Sequence, residues 1–250
     1  MTPEAHANLR PKRCAGGGLA RRLARCLALR AGKVPAYAAG MIPVPLPQLP
    51  ELLAEAEARL RRRRAYARPL SGRPAKVRHL EAALTAARAV LGAAARPAAL
   101  WLSVSARAEG AMVTLDGLRL TAPRLAAEIT AGGQPLLWLC TLGEDQARLG
   151  ASAEGDYLRA HVTADLAQAA LYAAARAVHA ELAARHPAAR LVRVSLREAE
   201  GPRWSPGAVA RLLPLFGPDP LGVRQTDSGS FLPVHTLLGV VVAHPDGGAA

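Results

Sequence analysis

The chain has 250 residues, a length that one hydrophobic core with an appended tail accommodates. Hydrophobic residues make up 51% and aromatic residues only 4%. The core is therefore expected to be built from Ala, Leu and Val, with too few rings for a single-stranded nucleic-acid binder that stacks successive bases. The formal net charge of +13 is unevenly placed: residues 1–40 carry +7, residues 41–79 carry +6, and residues 80–250 are neutral, which ranks nucleic acid last among possible partners.

Residues 1–40 contain Gly16-Gly17-Gly18 and then Leu19, Leu23 and Leu27 interleaved with Arg21, Arg22, Arg25 and Arg30. This resembles a transit peptide only superficially and is expected to be a basic, disordered N-terminal tail, with the ordered domain spanning 41–250. No run reaches the roughly eighteen uninterrupted apolar residues of a membrane span and no signal-peptide hydrophobic region is present, so a cytoplasmic location is expected. Cys14, Cys26 and Cys140 are odd in number and widely spaced. That pattern supports neither a disulfide framework nor a zinc site, and Cys140 reads as a small buried residue in an apolar strand.

Residues 49–67 read as a helix with Leu52, Leu53 and Leu60 inward. Its end is cationic, from Arg59 to Arg64 and on through Arg68, Arg73, Lys76 and Arg78, a cluster read as a solvated face before an acidic-protein docking surface. Residues 77–95 form a second predicted helix with Leu80, Leu84, Ala87 and Leu91 on one side, and residues 99–106 look extended. Met112 to Leu115 and Leu118 to Leu120 flank Asp116-Gly117, a strong hairpin signal. Pro123 opens a short helix reaching Ala131, Gly132-Gly133 ends it, and an apolar strand over 135–141 delivers Thr141 and Gly143 to a loop.

A long helix is predicted from Asp156 to about His186, largely buried through Leu166, Ala169, Leu171, Ala173, Val178 and Leu182, followed by an alternating strand over 190–197. Strands and helices do not strictly alternate, and no Gly-x-Gly-x-x-Gly follows a strand. The fold class is therefore α+β rather than a Rossmann sheet. No nucleophile paired with a base, metal-ligand cluster or phosphate loop stands out, so no catalytic residue is assigned. His235 and His244, each near a proline, read as loop residues rather than metal ligands.

The last fifty residues hold the most specific chemistry. In Gly201-Pro202-Arg203-Trp204-Ser205-Pro206-Gly207, Ser205 suits an N-cap and Pro206 a first helical position. The free N–H groups of such a turn, together with Arg203, suit a carboxylate or phosphate, although Arg203 alone would read as a partner of Glu198 or Glu200. Leu221-Gly222-Val223-Arg224-Gln225-Thr226-Asp227-Ser228 follows, and an apolar segment from Phe231 to Pro245 closes the chain, with Thr236 and Gly239 three residues apart. Upstream stand Leu137-Trp138-Leu139-Cys140-Thr141-Leu142-Gly143 and Gly155-Asp156-Tyr157-Leu158-Arg159-Ala160. In this order and spacing, over roughly residues 70 to 245, the segments resemble the activation domain of cobalamin-dependent methionine synthase, with Thr236 where that family usually has serine.

The resemblance implies a single domain around a twisted, mainly antiparallel sheet with flanking helices. It also implies a free-standing reductive-activation subunit for a cobalamin-dependent methionine synthase, acting in methionine biosynthesis, or for a related corrinoid methyltransferase. Such a subunit binds S-adenosylmethionine for remethylation of oxidised cobalamin, takes its electron from a flavodoxin-like donor and leaves the hard chemistry to a corrin. No Asp-x-His-x-x-Gly segment is present, so cobalamin is expected on a partner. By the same resemblance Arg203 holds the ligand's carboxylate, Ser205 and Gly207 offer backbone contacts, and Gln168 stands near the family's helix glutamate, with Asp165 the other candidate. Ala208 replaces a tyrosine, the family's C-terminal tyrosine has no counterpart, and no aspartate aligns with its N-terminal ligand contact. These departures keep open an alternative: a non-enzymatic adaptor of the same fold that has lost S-adenosylmethionine binding.

Overall fold

The computed structural model describes residues 40–70, 73–194 and 211–245. The expected tail therefore lies almost wholly outside the described residues, as do Arg203, Ser205 and Gly207.

Prolines and caps set the helix starts. Helix α1, Leu49–Arg62, opens with a reciprocal capping box in which the Gln48 backbone N–H donates to the Glu51 carboxylate at 3.0 Å. It buries Leu52, Leu53, Ala56, Glu57 and Leu60 as one stripe. The single helix expected over 49–67 is broken at Arg63, which is extended at φ −69°, ψ 137°, and the chain resumes as α2, Arg64–Leu70. The next stripe positions after Leu60 fall on Arg63 and Arg64, so no apolar side chain extends the buried face. The break instead allows Tyr66 to become buried and donate its hydroxyl to Asp165 Oδ2 at 2.8 Å. Helix α3, Pro74–Ala94, starts three residues before the predicted helix because Pro74 suits the first turn.

The extended stretch expected over 99–106 is two strands. Strand β2, Ala98–Ser103, belongs to the main sheet, and β3, Ala106–Glu109, starts a second one. The corner is fixed by Asp116, whose carboxylate accepts the Ser105 backbone N–H at 2.9 Å and also the Ser105 hydroxyl. Strands β4, Met112–Leu115, and β5, Leu118–Thr121, form the predicted hairpin, with Asp116 and Gly117 at φ 42° and 86°. Helix α4, Pro123–Thr130, matches its expectation.

Strand β6, Gln134–Thr141, is buried at every position after Gln134. A strand alternates its side chains between faces, so both faces of the sheet are covered here. Helix α5, Gln146–Ala153, has no apolar periodicity to announce it and is fixed by Asp145, which accepts the Ala147 and Arg148 N–H groups at 3.1 and 3.2 Å. Helix α6, Tyr157–Arg185, is the predicted long helix, capped by Asp156 accepting the Arg159 N–H at 2.9 Å. Strand β7, Arg190–Val194, carries the described part of the strand expected over 190–197. The short strands β8, Arg224–Gln225, and β9, Phe231–Leu232, then pair with each other before β10, Thr236–His244.

The main sheet runs β1-β2-β6-β10-β7, where β1 is Met41–Pro43, and every pairing is antiparallel. Helices α1, α3 and α6 bury one face through a core that includes Leu53, Leu84, Leu166, Val178, Trp138 and Cys140. The sheet residues pointing the other way, among them Leu137, Leu139, Val240 and Val242, are buried as well. The architecture is α+β with a mainly antiparallel sheet and flanking helices. Burial pushes the Cys140 thiol up to about 12, so it is an inert core group at neutral pH. Among the described residues, no helix is long and apolar enough to cross a membrane.

Candidate functional site

Two features lie along the paired strands β6 and β10. The first is the Thr141-Leu142-Gly143-Glu144 turn. Gly143 has φ +57°, and a Cβ there would fall 2.6 Å from the Arg96 carbonyl oxygen, so only glycine fits without strain. Its N–H donates to Thr141 Oγ1 at 3.0 Å, and Thr236 Oγ1 lies 2.8 Å from the same hydroxyl, tying the turn to β10.

Next to it the Glu144 side chain is fully buried. Its Oε1 accepts the His235 backbone N–H at 2.8 Å and Gln146 Nε2 at 2.7 Å, and it lies 2.9 Å from His235 Nδ1. Oε2 has no partner among the described residues. Burial alone would push this carboxyl up, but the His235 donors hold it below the ordinary carboxylate value. His235 is thus a loop residue, as expected, with a ring pinned by a carboxylate. His244 differs from its expectation: it is the last residue of β10, buried, with Nε2 2.7 Å from Glu128 Oε2. The sheet continues through His244 because its ring finds an acceptor on α4. Among the described residues no cluster of three His, Cys, Asp or Glu side chains could hold a metal ion.

The second feature is a cavity of about 420 Å³ over the helical face of the sheet. Trp138 forms part of its wall, with its ring edge-on to His179 of α6 at a centroid distance of 5.1 Å. Tyr172, about two turns earlier on α6, stands half exposed at the cavity. Four guanidinium groups line it: Arg59 from α1, Arg63 from the helix break, Arg176 from α6 and Arg193 from β7. Glu55 receives Arg176 at 2.7 Å and Arg59 at 3.3 Å, and these donors, Arg176 foremost, hold its carboxyl below the usual range. Burial, reinforced by Arg193, lowers His179 to about 4, so its imidazole is neutral at pH 7.

Of the four sequence-assigned ligand residues, Gln168 is the one described. It is half-buried on α6, directly before the cavity-lining Ala169 and one turn before Tyr172. Asp165, the other candidate on this helix, receives the Tyr66 hydroxyl and lies 3.7 Å from His161 Nε2. Arg203, Ser205 and Gly207 fall in 195–210, which follows β7. That strand ends at Val194, paired with Val240, next to the cavity-lining Arg193. Sequence reasoning gave no site role to Trp138, Arg176, His179 or Arg193. The available signal was a cationic and a titratable residue, Arg176 and His179, set three apart in an otherwise Ala-rich buried helix.

No protein-family model matches this sequence, and no curated protein matches it. In three dimensions the chain is similar to the crystal structure of the MetH reactivation domain bound to AdoHcy, with a TM-score of 0.58 and 16% sequence identity over 87% of this chain and 83% of that one. The chain therefore has the fold of the MetH reactivation domain.

Proposed function

We infer that the chain is a free-standing reactivation-type subunit that binds S-adenosylmethionine, or its demethylated product, beside α6 and serves a cobalamin-carrying methionine synthase or related corrinoid methyltransferase. The observation that carries this reading is the fold shared with a domain whose crystal structure holds AdoHcy. Two local features support it. The Thr141-Leu142-Gly143 turn accepts only glycine at its third position without strain, and Gln168 sits half-buried on the long helix α6.

In this reading Arg203 takes the ligand's carboxylate through its planar fork, and Ser205 and Gly207 present backbone to the ligand. Gln168 hydrogen-bonds the ligand's ammonium without neutralising it. Cobalamin on the partner supplies the metal that accepts the methyl group, and a flavodoxin-like donor supplies the electron. The chain's own share of the work is to hold and orient the cosubstrate. Glutamine in place of glutamate costs about 2 kcal/mol of ligand binding, a roughly tenfold to thirtyfold weaker complex.

Calorimetric titration of S-adenosylmethionine into the full chain, with Arg203→Ala as control, tests the reading. Saturable binding lost in the variant is the expected result, and its absence from the wild-type chain overturns it. One observation favours a second reading, an adaptor of the same fold that no longer binds this ligand. Asp165 is engaged by Tyr66, so neither helix candidate offers a free carboxylate to an ammonium. The adaptor would use the Arg59 to Arg78 face to dock an acidic partner, with association that weakens with salt and ignores S-adenosylmethionine.

A further inference from the structure

The cavity between α1, α6 and the sheet has a charge pattern that a net-cationic ligand does not explain. Its four lining arginines come from separate places in the chain, and among the described residues no Asp or Glu lines it. Glu55 sits behind Arg59 and Arg176 and partners both of them. Among the described residues, Arg63 and Arg193 have no acidic partner within salt-bridge distance. Arg63 is extended where α1 breaks, and Arg193 projects from β7 on the face that also carries Leu191, towards the helical core. Two guanidiniums with no acidic partner among the described residues, lining one concave site, suit an anion, because each offers a planar fork of donors to a phosphate or carboxylate.

The rest of the lining is apolar and aromatic. Ala169, Ala175 and Leu237 present no hydrogen-bonding side chain, and the Trp138 and Tyr172 rings provide surfaces for a planar group. Trp138 is only 8% exposed whereas Tyr172 is 46% exposed, so one ring is set in the wall and the other stands at the solvent-open side. His179 is neutral at pH 7, so it adds a ring without a fifth cation. The volume of about 420 Å³ lies in the range of small-ligand pockets and suits a single mononucleotide.

The geometry points to a nucleotide site: the cavity takes a phosphate-bearing ligand, its phosphate on Arg63 and Arg193 and its base against Tyr172 and Trp138. S-adenosylmethionine carries a sulfonium, an ammonium and one carboxylate, a net cation at neutral pH, and is the poorer match to this lining. The inference does not rest on the reactivation reading, since the residues it uses are separate from Arg203, Ser205 and Gly207.

Calorimetry with ADP, adenosine and pyrophosphate as probes of the full chain tests it. ADP is expected to bind saturably, with adenosine and pyrophosphate each at least about tenfold weaker, because one lacks the anion and the other the ring. Arg63→Gln and Arg193→Gln should each weaken ADP by about tenfold, while circular dichroism melts match the wild type, since neither residue holds an ion pair in the described fold. No heat with ADP, equal affinity for ADP and adenosine, pyrophosphate binding as tightly as ADP, or ADP binding untouched by both substitutions would overturn it. Failure of the reactivation reading shows separately, as absent S-adenosylmethionine binding in the wild-type chain.

Discussion

Gly239 of β10 stands directly opposite Trp138 of β6, and a Cβ at that glycine would fall 2.5 Å from the indole ring. The wall of the cavity therefore depends on a missing methyl group on the neighbouring strand. Gly239→Ala has to displace the ring, and because Trp138 packs edge-on against His179 the displacement carries to α6. Overpacking of this kind costs about 1–3 kcal/mol. A lowered melting temperature together with a shifted tryptophan emission maximum is the expected pair of readouts. Unchanged emission would mean that the ring does not rest on the glycine.

Glu144 links the β6 turn to the start of β10 through His235. Because its carboxyl is held below its ordinary value of 4.5, the folded state binds fewer protons than the unfolded one just below that pH. The stabilisation is present above about pH 4.5 and is lost as pH falls through the folded value. Glu144→Gln keeps the shape but replaces a charged acceptor by a neutral one, and should lower stability at neutral pH by about 1.5–3 kcal/mol. The gap between wild type and variant, measured by urea unfolding, should narrow as the pH drops below 4.5. A gap that stays constant would count against the carboxylate as its source.

His179 works in the same direction, in a higher pH window. Burial and then Arg193 depress it from 6.5 to about 4, so between those values the unfolded chain takes up a proton that the folded chain refuses. Stability contributed by the neutral ring is full above pH 6.5 and falls as the pH drops toward 4. His179→Gln removes the titration, and the acid slope of the melting temperature in that window should flatten. Because the ring is part of the nucleotide cavity, ADP should also protect the wild type against acid unfolding there.

The elements legible in the sequence were those whose signal is local. Asp116-Gly117 announces its hairpin, and Pro123 and Asp156 announce the starts of α4 and α6, because turn and cap chemistry is written within a few neighbouring residues. What escaped depended on partners distant in the chain. The break at Arg63 follows from Tyr66 reaching Asp165, and the strand position of His244 follows from Glu128. The arginine cavity unites residues from α1, the helix break, α6 and β7, and no spacing rule joins positions 59, 63, 176 and 193. The ligand assignments at Arg203, Ser205 and Gly207 rest on motif order alone, since they lie outside the described residues.

Asp165 shows how a structural role and a ligand role are told apart. The Tyr66 hydroxyl is raised above its usual value, first by burial and then by Asp165, as expected for a phenol donating to a carboxylate in a partly dry site. If this bond is what Asp165 is for, Tyr66→Phe and Asp165→Asn should each cost stability by about 1–3 kcal/mol. The double variant should then cost less than their sum, because the second change removes nothing that the first has not already removed. S-adenosylmethionine titrations should be unmoved by either substitution, apart from loss of folded protein. A selective loss of ligand affinity in Asp165→Asn, with stability intact, would instead make Asp165 the acidic contact that Gln168 does not supply.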